Sequence, residues 1–374
     1  MTFISRTILL VLGVLFVILL MNNLHNGMGH MSGYTDHQNL ENVQEFFKSS
    51  ENQNASPEEI MRIYGTFPST DHPYYKTHKL HYIYFSADHD DLQSKLKQDK
   101  KSIKKGLHEK LGLRRADVIL AGMFKGGTGT IMQFLNSHPQ IVQLESQGYF
   151  SHHDRYILNS FQDHLKIKGN GSVRDDQLIL ERCTGCFISQ AARDRLKVFY
   201  PDNHVKFLIM VRDPVDRLIS EFTQNFWITG KNLSIEEAYF LPNGSINEDH
   251  IAIQKSIYVK HLALWYTMFP RELIYLVDAD IFTRQPWVEL NKIEQFIGVE
   301  HFLNEDKFVP HPTKAFYCIL RGNETDVNCM GKAKGRTHPH IKDETIQMLK
   351  DYFKVFNEEL FALAGKSFAW SRNY

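Results

Sequence analysis

Three apolar runs, each followed at once by a loop, constrain the fold of this chain most strongly. VILAGM (118–123) leads into FKGGTGT, VKFLIMV (205–211) leads into RDPVDRLISEFTQNF, and LIYLVDAD (273–280) supplies another such run. Short apolar runs that alternate with loops and helical patterns are typical of an α/β domain with a largely parallel sheet. The sequence therefore predicts a parallel sheet flanked by helices, in one domain over residues 113–374.

The first loop, FKGGTGT (124–130), has the composition of an anion-binding loop. Its glycines allow the backbone to approach a ligand closely, and the helix predicted from about Thr128 to Ser137 would direct its free amides at the same ligand. The nucleotide-triphosphatase motif GxxxxGK[ST] does not match, because Lys125 precedes the glycines. The loop predicts a P-loop-like phosphate or sulfate site, and an ordinary tight turn is the alternative.

A second anion site is predicted in KFLIMVRDPVDRLIS (206–220). Arg212 follows the apolar run, Asp213 and Pro214 suit a helix start, and Ser220 lies two turns further on. An arginine and a hydroxyl together can clamp a phosphate. RDP alone is a weak signal, because an arginine at a strand end is more often in a surface ion pair.

The N-terminal residues have a different character from the rest of the chain. TILLVLGVLFVILLM (7–21) is uncharged and follows Arg6, but it is shorter than the ~20 residues of a standard membrane span. We expect a signal anchor there, with a cytoplasmic tail of residues 1–6; a cleaved signal peptide is the alternative. The polar residues 22–112 predict a lumenal stem whose basic run forms a solvated helix, or else grips an acidic glycan.

Cysteines and glycosylation sequons both indicate a secretory compartment. Cys318 and Cys329 bracket a short polar loop, which suits a disulfide. Cys183 and Cys186 form a lone CxxC without a second pair, so zinc is not expected, and their redox state stays open. Sequons occur at Asn54, Asn170, Asn232, Asn243 and Asn323.

The overall charge gives no sign of a nucleic-acid partner. Forty-three lysines and arginines balance 43 aspartates and glutamates. A basic site in this chain must therefore be local.

With two predicted anion sites, the chain resembles the sulfotransferases that use 3′-phosphoadenosine 5′-phosphosulfate (PAPS), and in particular the Golgi heparan sulfate glucosamine 3-O-sulfotransferases. The resemblance covers residues 115–374 and rests on FKGGTGTIMQFLNSHP, IMVRDPVDRLISEFTQNF, KSIYVKHLALWYTMFP, LIYLVDADIFTRQP and AFYCILRGNETDVNCMGKAKGRTHPHI. It implies a sulfotransferase fold, PAPS as donor, heparan sulfate chains as acceptor and no required metal. It also implies a single-pass type II protein of the Golgi membrane with a lumenal catalytic domain.

The resemblance assigns roles to individual residues. Donor binding falls to the residues that match the family's two phosphate sites, adenine contact and closing loop: Lys125, Gly126, Gly127, Thr128, Gly129, Thr130, Arg212, Ser220, Phe316, Lys334, Gly335 and Arg336. Lys125 would also assist cleavage of the phosphosulfate. Arg182 and Gln224 would contact the acceptor, and Cys318 and Cys329 would form the family's disulfide.

Two positions depart from the family's pattern. The family's general base is a glutamate 22 residues beyond the loop lysine, and this chain has Gln147 there. Glu145 is the nearest substitute, and ERCTGCF retains only Arg182 of the family's basic trio. The resemblance implies sulfuryl transfer to the 3-hydroxyl of glucosamine in heparan sulfate. The alternatives are a catalytically weak or silent homologue that binds PAPS or glycan, and a sulfotransferase for another lumenal glycan.

Overall fold

A five-stranded parallel sheet forms the centre of the structure, as the apolar runs predict. The strands are β1 (Val118–Gly122), β2 (Ile141–Gln143), β3 (Leu178–Arg182), β4 (Lys206–Val211) and β5 (Ile274–Asp278). They lie in the order β2-β3-β1-β4-β5, and every neighbouring pair is parallel. All residues of β1 are buried, because helices cover both faces of the sheet.

The structure is a computed structural model. It describes residues 89–104, 113–145, 147–152, 155–156, 161–167, 172–230, 233–321, 326–331 and 334–374. The predicted tail 1–6, the apolar segment 7–21 and the sequons at Asn54, Asn170, Asn232 and Asn323 lie outside these residues; Asn243 lies within them and is exposed. Across these ranges, no helix is long and apolar enough to cross a membrane.

Helices connect and flank the strands. They are α1 (His89–Lys104), α2 (Thr128–Leu135), α3 (Phe161–His164), α4 (Gln190–Phe199), α5 (Pro214–Thr229), α6 (Ile235–Tyr239), α7 (Ile251–Ser256), α8 (Tyr258–Met268), α9 (Ala279–Arg284), α10 (Pro286–Ile297) and α11 (Asp343–Ala364). The helix predicted from Thr128 begins there, and Asp213 caps α5 by accepting hydrogen bonds from the amides of Val215 and Asp216.

The strand order decides where the site lies. β1 is at the centre, with β3 on one side and β4 on the other. The carboxyl ends of parallel strands meet at one edge of a sheet, and ligands of such folds bind in the crevice beyond that edge. The loops that follow β1, β3 and β4 therefore converge, although they are far apart in the sequence.

Helix α1 comes from residues that the sequence analysis assigns to the stem, and it packs against α4. Asp99 on α1 is buried; it accepts a hydrogen bond of 2.5 Å from the Tyr156 hydroxyl and one of 2.8 Å from Lys95. A buried carboxylate must be hydrogen-bonded, so the two donors of Asp99 favour one position of α1 on the domain. This part of the basic run is helical as predicted, and one of its faces contacts the domain.

A second, antiparallel sheet contains β6 (Phe308–Pro310), β7 (Tyr317–Leu320) and β8 (Val327–Asn328). The predicted disulfide between Cys318 and Cys329 is confirmed and links β7 to the residue after β8. Cys183 and Cys186 are also joined in a disulfide. The sulfur atoms of Cys318 and Cys329 lie near His311, but cysteine binds metal as a thiolate, and these two are bonded to each other.

Candidate functional site

The loop between β1 and α2 is shaped for an anion. Lys125 has φ 71° and Gly127 has φ 100°, so the backbone turns through left-handed conformations. A Cβ at Gly126 would lie 3.0 Å from both the Met123 carbonyl oxygen and the Met210 Cβ, so any larger residue would be tightly crowded there. Among the described residues, no side chain caps α2 at Gly127. The first amides of the helix are therefore available to a ligand.

One cavity of about 270 Å³ collects nearly all the residues that the sequence analysis selects. From that selection, the residues that line it are Lys125, Gly126, Gly127, Thr128, Gly129, Thr130, Arg182, Arg212, Ser220, Gln224, Phe316, Lys334, Gly335 and Arg336. They come from the loops after three strands, from α5 and from the segments around β7 and residue 335. Their proximity is a finding; their individual roles stay predictions.

The cavity is strongly basic. Burial, followed by the charges of Lys334, Arg336 and Arg212, lowers the pKa of Lys125 to about 8, against an opposing effect of Glu221. Burial, followed by Arg182 and Arg336, also lowers the pKa of Lys334. Bringing five cations together raises the free energy of the ligand-free site, and a bound polyanion would relieve this repulsion.

Contacts within the cavity connect the two predicted anion sites. The Lys125 Nζ donates a hydrogen bond of 2.8 Å to the Gln224 Oε1, and Arg212 Nη1 donates one of 3.2 Å to the Lys125 carbonyl oxygen. Arg212 also lies 3.8 Å from the Asp216 carboxylate. The loop after β1 and the start of α5 therefore hold each other in place without a ligand.

The closing segment lies over the first loop. A Cβ at Gly129 would lie 3.6 Å from the Lys334 Nζ, so this lysine reaches the first turn of α2. Gly335 has φ 61°, and a Cβ there would lie 2.8 Å from the Phe316 ring. Lys334 and Phe316 thus both lie at the cavity, Lys334 beside the first loop and Phe316 beside Gly335. A larger residue at position 335 would require the Phe316 ring to shift.

Gln147 lies next to the cavity, in contact with Arg182. Arg182 lines the cavity, and its Nη1 donates a hydrogen bond of 3.0 Å to the Gln147 Oε1. Arg155 Nη1 donates to the Gln147 backbone carbonyl oxygen. Gln147 itself is half-buried and contacts the cavity through Arg182. The side-chain oxygen of Gln147 is therefore already used as an acceptor.

The structure does not bring Glu145 to the cavity. The side chain of Glu145 is exposed, and its backbone amide donates to the Lys166 carbonyl oxygen. The chain bends at Glu145 after β2 ends at Gln143, so the extended geometry that would align Glu145 with Gln147 is not continued.

The CxxC loop (Cys183–Cys186) directly follows Arg182 and is hydrogen-bonded to β1. Cys183 and Cys186 are fully buried, and the Cys183 and Phe187 amides donate to the carbonyl oxygens of Leu120 and Ala121. These bonds attach the loop after β3 to the last residues of β1. The disulfide begins at the residue after Arg182 and closes the short turn in which the chain leaves the sheet.

Sequence reasoning missed several residues of the cavity wall. They are Phe124, Phe134, Thr223, Phe282, Thr283, Pro286, Tyr317 and His338. Three of them, Phe282, Thr283 and Pro286, lie in LIYLVDADIFTRQP, and His338 lies in THPHI, two residues beyond Arg336. The signal that could have found His338 is the presence of a histidine beside a predicted phosphate-binding loop.

Residues 115–362 match the family model described as "Sulfotransferase domain". The chain is 29% identical over 259 residues to heparan sulfate glucosamine 3-O-sulfotransferase 5 of Mus musculus, covering 67% of this chain and 73% of that protein. It is 30% identical over 255 residues to heparan sulfate glucosamine 3-O-sulfotransferase 3B1 of Homo sapiens, covering 67% of this chain and 64% of that protein, less than two thirds of its length.

The crystal structure of a sulfotransferase from Alicyclobacillus acidocaldarius shares the fold. The TM-score is 0.51 at 18% sequence identity, and the match covers 70% of this chain and 100% of that chain. At this identity the likeness concerns the fold alone.

Proposed function

Because the chain belongs to the sulfotransferase domain family, we propose that it transfers a sulfuryl group from PAPS to the 3-hydroxyl of glucosamine in heparan sulfate. The observation that carries this proposal is one cavity whose wall contains five cations from four segments together with the N-terminus of α2. PAPS has two separated anionic groups, and the two predicted anion sites, one at Lys125 and one at Arg212 and Ser220, both line this cavity. The acceptor class follows from the names of the most similar relatives.

The donor fits residues that are present in the cavity. Lys125, Lys334 and the first amides of α2 would hold the phosphosulfate, while Arg212 and Ser220 would hold the 3′-phosphate. The cradle at Gly126, which a Cβ would fill, supports close approach of an anion to the backbone. When bound, PAPS supplies a sulfuryl group attached to a phosphate leaving group. Lys125 would stabilise the negative charge that develops on that leaving group as the bond breaks.

The acceptor hydroxyl must lose a proton as its oxygen bonds to sulfur. A positioned carboxylate usually contributes ~10² to 10⁴-fold to such a step. Gln147 cannot take the proton, because an amide oxygen is only a hydrogen-bond acceptor at neutral pH. Gln147 and Arg182 together can still bind and orient a polar acceptor. We therefore expect donor binding to be strong and turnover to be slow.

Two alternatives follow from the same geometry. A catalytically silent protein that binds PAPS or glycan would keep the cations of the cavity and lack the base, as this chain does at Gln147. A sulfotransferase for another lumenal glycan would keep the donor site and differ on the acceptor side, where ERCTGCF departs from the family's pattern.

One assay separates these readings. Purified full chain is incubated with radiolabelled PAPS and heparan sulfate, and the product is digested and analysed as disaccharides. We expect slow formation of 3-O-sulfated glucosamine. Label on another position or another glycan would assign a different acceptor. Donor binding without any transfer would identify the silent homologue, and absence of donor binding would refute the proposal as a whole.

We further propose a type II Golgi membrane protein with a lumenal catalytic domain and N-linked glycans. Arg6 before the apolar residues 7–21, the sequons and two disulfides support this location. Protease protection of the domain in intact microsomes, and a mobility shift after glycosidase treatment, test the orientation and the glycans. Digestion of the domain in intact microsomes would contradict the lumenal orientation.

A further inference from the structure

Helix α1 has a basic stripe that the roles proposed for the cavity do not use. The stripe consists of Lys97, Lys100 and Lys101, and all three side chains are exposed. Their spacing of three and four residues places them on one side of the helix. Lys97 and Lys101 lie about 160° around the helix axis from the buried Asp99, and Lys100 lies about 100° from it. Because Asp99 contacts the domain, the stripe faces solvent.

No acidic side chain neutralises the stripe in the described part of the chain. No carboxylate there forms an ion pair with it, whereas Lys95, on the buried side of the helix, is paired with Asp99 at 2.8 Å. Like charges three or four residues apart repel each other and disfavour the helix. A helix C-terminus favours cations only within its last turn, and Lys97 and Lys100 lie before the last turn of α1, which ends at Lys104. Helix stability therefore does not explain these two lysines.

The contacts of α1 connect it to the side of the cavity where Gln147 lies. Asp99 accepts a hydrogen bond from the Tyr156 hydroxyl. The neighbouring Arg155 is exposed and donates to the Gln147 carbonyl oxygen. The Gln147 side chain in turn accepts from Arg182, which lines the cavity. A series of contacts thus leads from a cation in the cavity wall, past a second exposed cation, to the helix with the stripe.

We propose that the basic stripe of α1 is a second binding site for the acceptor polysaccharide, outside the cavity. It binds one stretch of a long sulfated chain while another stretch occupies the cavity. This inference rests on the proposed function and deepens it. The protein has no net charge, so a polyanion is attracted only by local groups of cations. Because α1 precedes residues 115–362, which match the family model, this site is an addition to the shared domain.

Binding at two places explains how three exposed lysines can matter. Each exposed ion pair contributes little by itself, and salt screens it. Once one stretch of the polysaccharide occupies the cavity, contact with the stripe becomes intramolecular, so a high effective concentration strengthens the binding of long chains. A short fragment that fills only the cavity gains nothing from the stripe. Chain length therefore distinguishes a second site from a general effect of charge.

The test measures binding of the full chain to fluorescently labelled heparan sulfate by anisotropy, with long chains and with a tetrasaccharide. The α1 variant combines Lys97→Gln, Lys100→Gln and Lys101→Gln, because glutamine removes the charge and is a good helix former. Binding of adenosine 3′,5′-bisphosphate and of phosphatidylserine vesicles is measured in parallel. The matched control removes three charges from exposed residues elsewhere, by Lys342→Gln, Lys354→Gln and Arg372→Gln.

We expect the α1 variant to bind long chains about tenfold more weakly at low ionic strength, the combined size of three weak surface ion pairs. The loss should shrink at about 0.5 M salt, because salt screens exposed charges. The affinity of the α1 variant for the tetrasaccharide and for the bisphosphate should stay within about twofold of wild type. The control variant should bind long chains within about twofold of wild type.

Four results would overturn the proposal. Unchanged affinity for long chains would mean that the stripe is only solvated, and weaker vesicle binding in that case would assign it to a membrane surface. An equal loss in the control variant would mean an effect of net charge. An equal loss with the tetrasaccharide would mean a change in the cavity itself. In these three cases the proposed function stands. If wild type binds the bisphosphate but heparan sulfate of neither length, the proposed acceptor is wrong and this inference fails with it.

Discussion

At the scale of single residues, the cavity wall contains five cations, and one of them, Arg182, is hydrogen-bonded to the neutral amide of Gln147. Burial and the charges of Lys334, Arg336 and Arg212 lower the pKa of Lys125, which is expected where cations are gathered for an anionic ligand. Arg182 donates to the side-chain amide oxygen of Gln147 and not to a carboxylate. In the proposed reaction, the side chains present would therefore support donor binding better than removal of the acceptor's proton.

Replacing Gln147 tests this imbalance. Gln147→Glu should raise kcat for sulfate transfer to heparan sulfate by ~10²-fold, the lower end for a general base, with little change in PAPS affinity. The gain stays at the lower end because Arg182, 3.0 Å from the present Oε1, would lower the pKa of the new carboxylate and make it a weaker base. Glu145→Gln is the matched control, exposed and outside the cavity. Fast wild-type turnover that Gln147→Glu does not improve would show that the base lies elsewhere.

At the scale of secondary-structure elements, the sequence predicts β1, β4 and β5 and the loops after β1 and β4, whereas the strands β2 and β3 and the second sheet are not among its predictions. Apolar runs of strand length and a glycine loop before a helix are local signals, and parallel strands bring their carboxyl ends together. Contacts between distant elements could not be predicted. The partner of Gln147 lies on β3, and the partner of His338 lies on α5, 115 residues away. No local pattern encodes such pairs, because they depend on how the elements pack.

The two disulfides close loops of different length, so removing each should lower the free energy of unfolding by a different amount. The Cys318–Cys329 bridge closes a loop of sequence separation 11, and the Cys183–Cys186 bridge one of separation 3. On the loop-entropy relation, Cys318→Ser with Cys329→Ser should lower the free energy of unfolding by about 3 kcal/mol, and Cys183→Ser with Cys186→Ser by about 2 kcal/mol. Denaturant unfolding of both double variants measures this. A larger loss from the shorter loop would mean that packing of the buried CxxC, and not chain entropy, dominates.

At the scale of the whole molecule, the folded unit includes a helix that composition assigns to the stem. Helix α1 has a weak apolar pattern, so the sequence indicates a solvated helix there. Its attachment to the domain depends instead on Asp99, whose neighbours on the helix include several lysines. The Asp99 carboxylate is buried and accepts a hydrogen bond from the Tyr156 hydroxyl. Tyr156 in turn lies under the guanidinium of Arg195 on α4. Residues of α1 therefore contribute to a buried network that also includes Tyr156, nine residues after Gln147.

The contribution of α1 to stability can be measured through this hydrogen bond. Asp99→Ala should lower the free energy of unfolding by about 1 to 3 kcal/mol, because the buried Tyr156 hydroxyl loses its partner. Lys97→Ala, on the same helix but exposed, is the control and should change it by less than about 0.5 kcal/mol. In a double-mutant cycle, Tyr156→Phe should make Asp99→Ala much less costly, since no hydroxyl is then left unpaired. If Asp99→Ala costs no more than the control, α1 is a solvated stem helix and the folded domain begins after it.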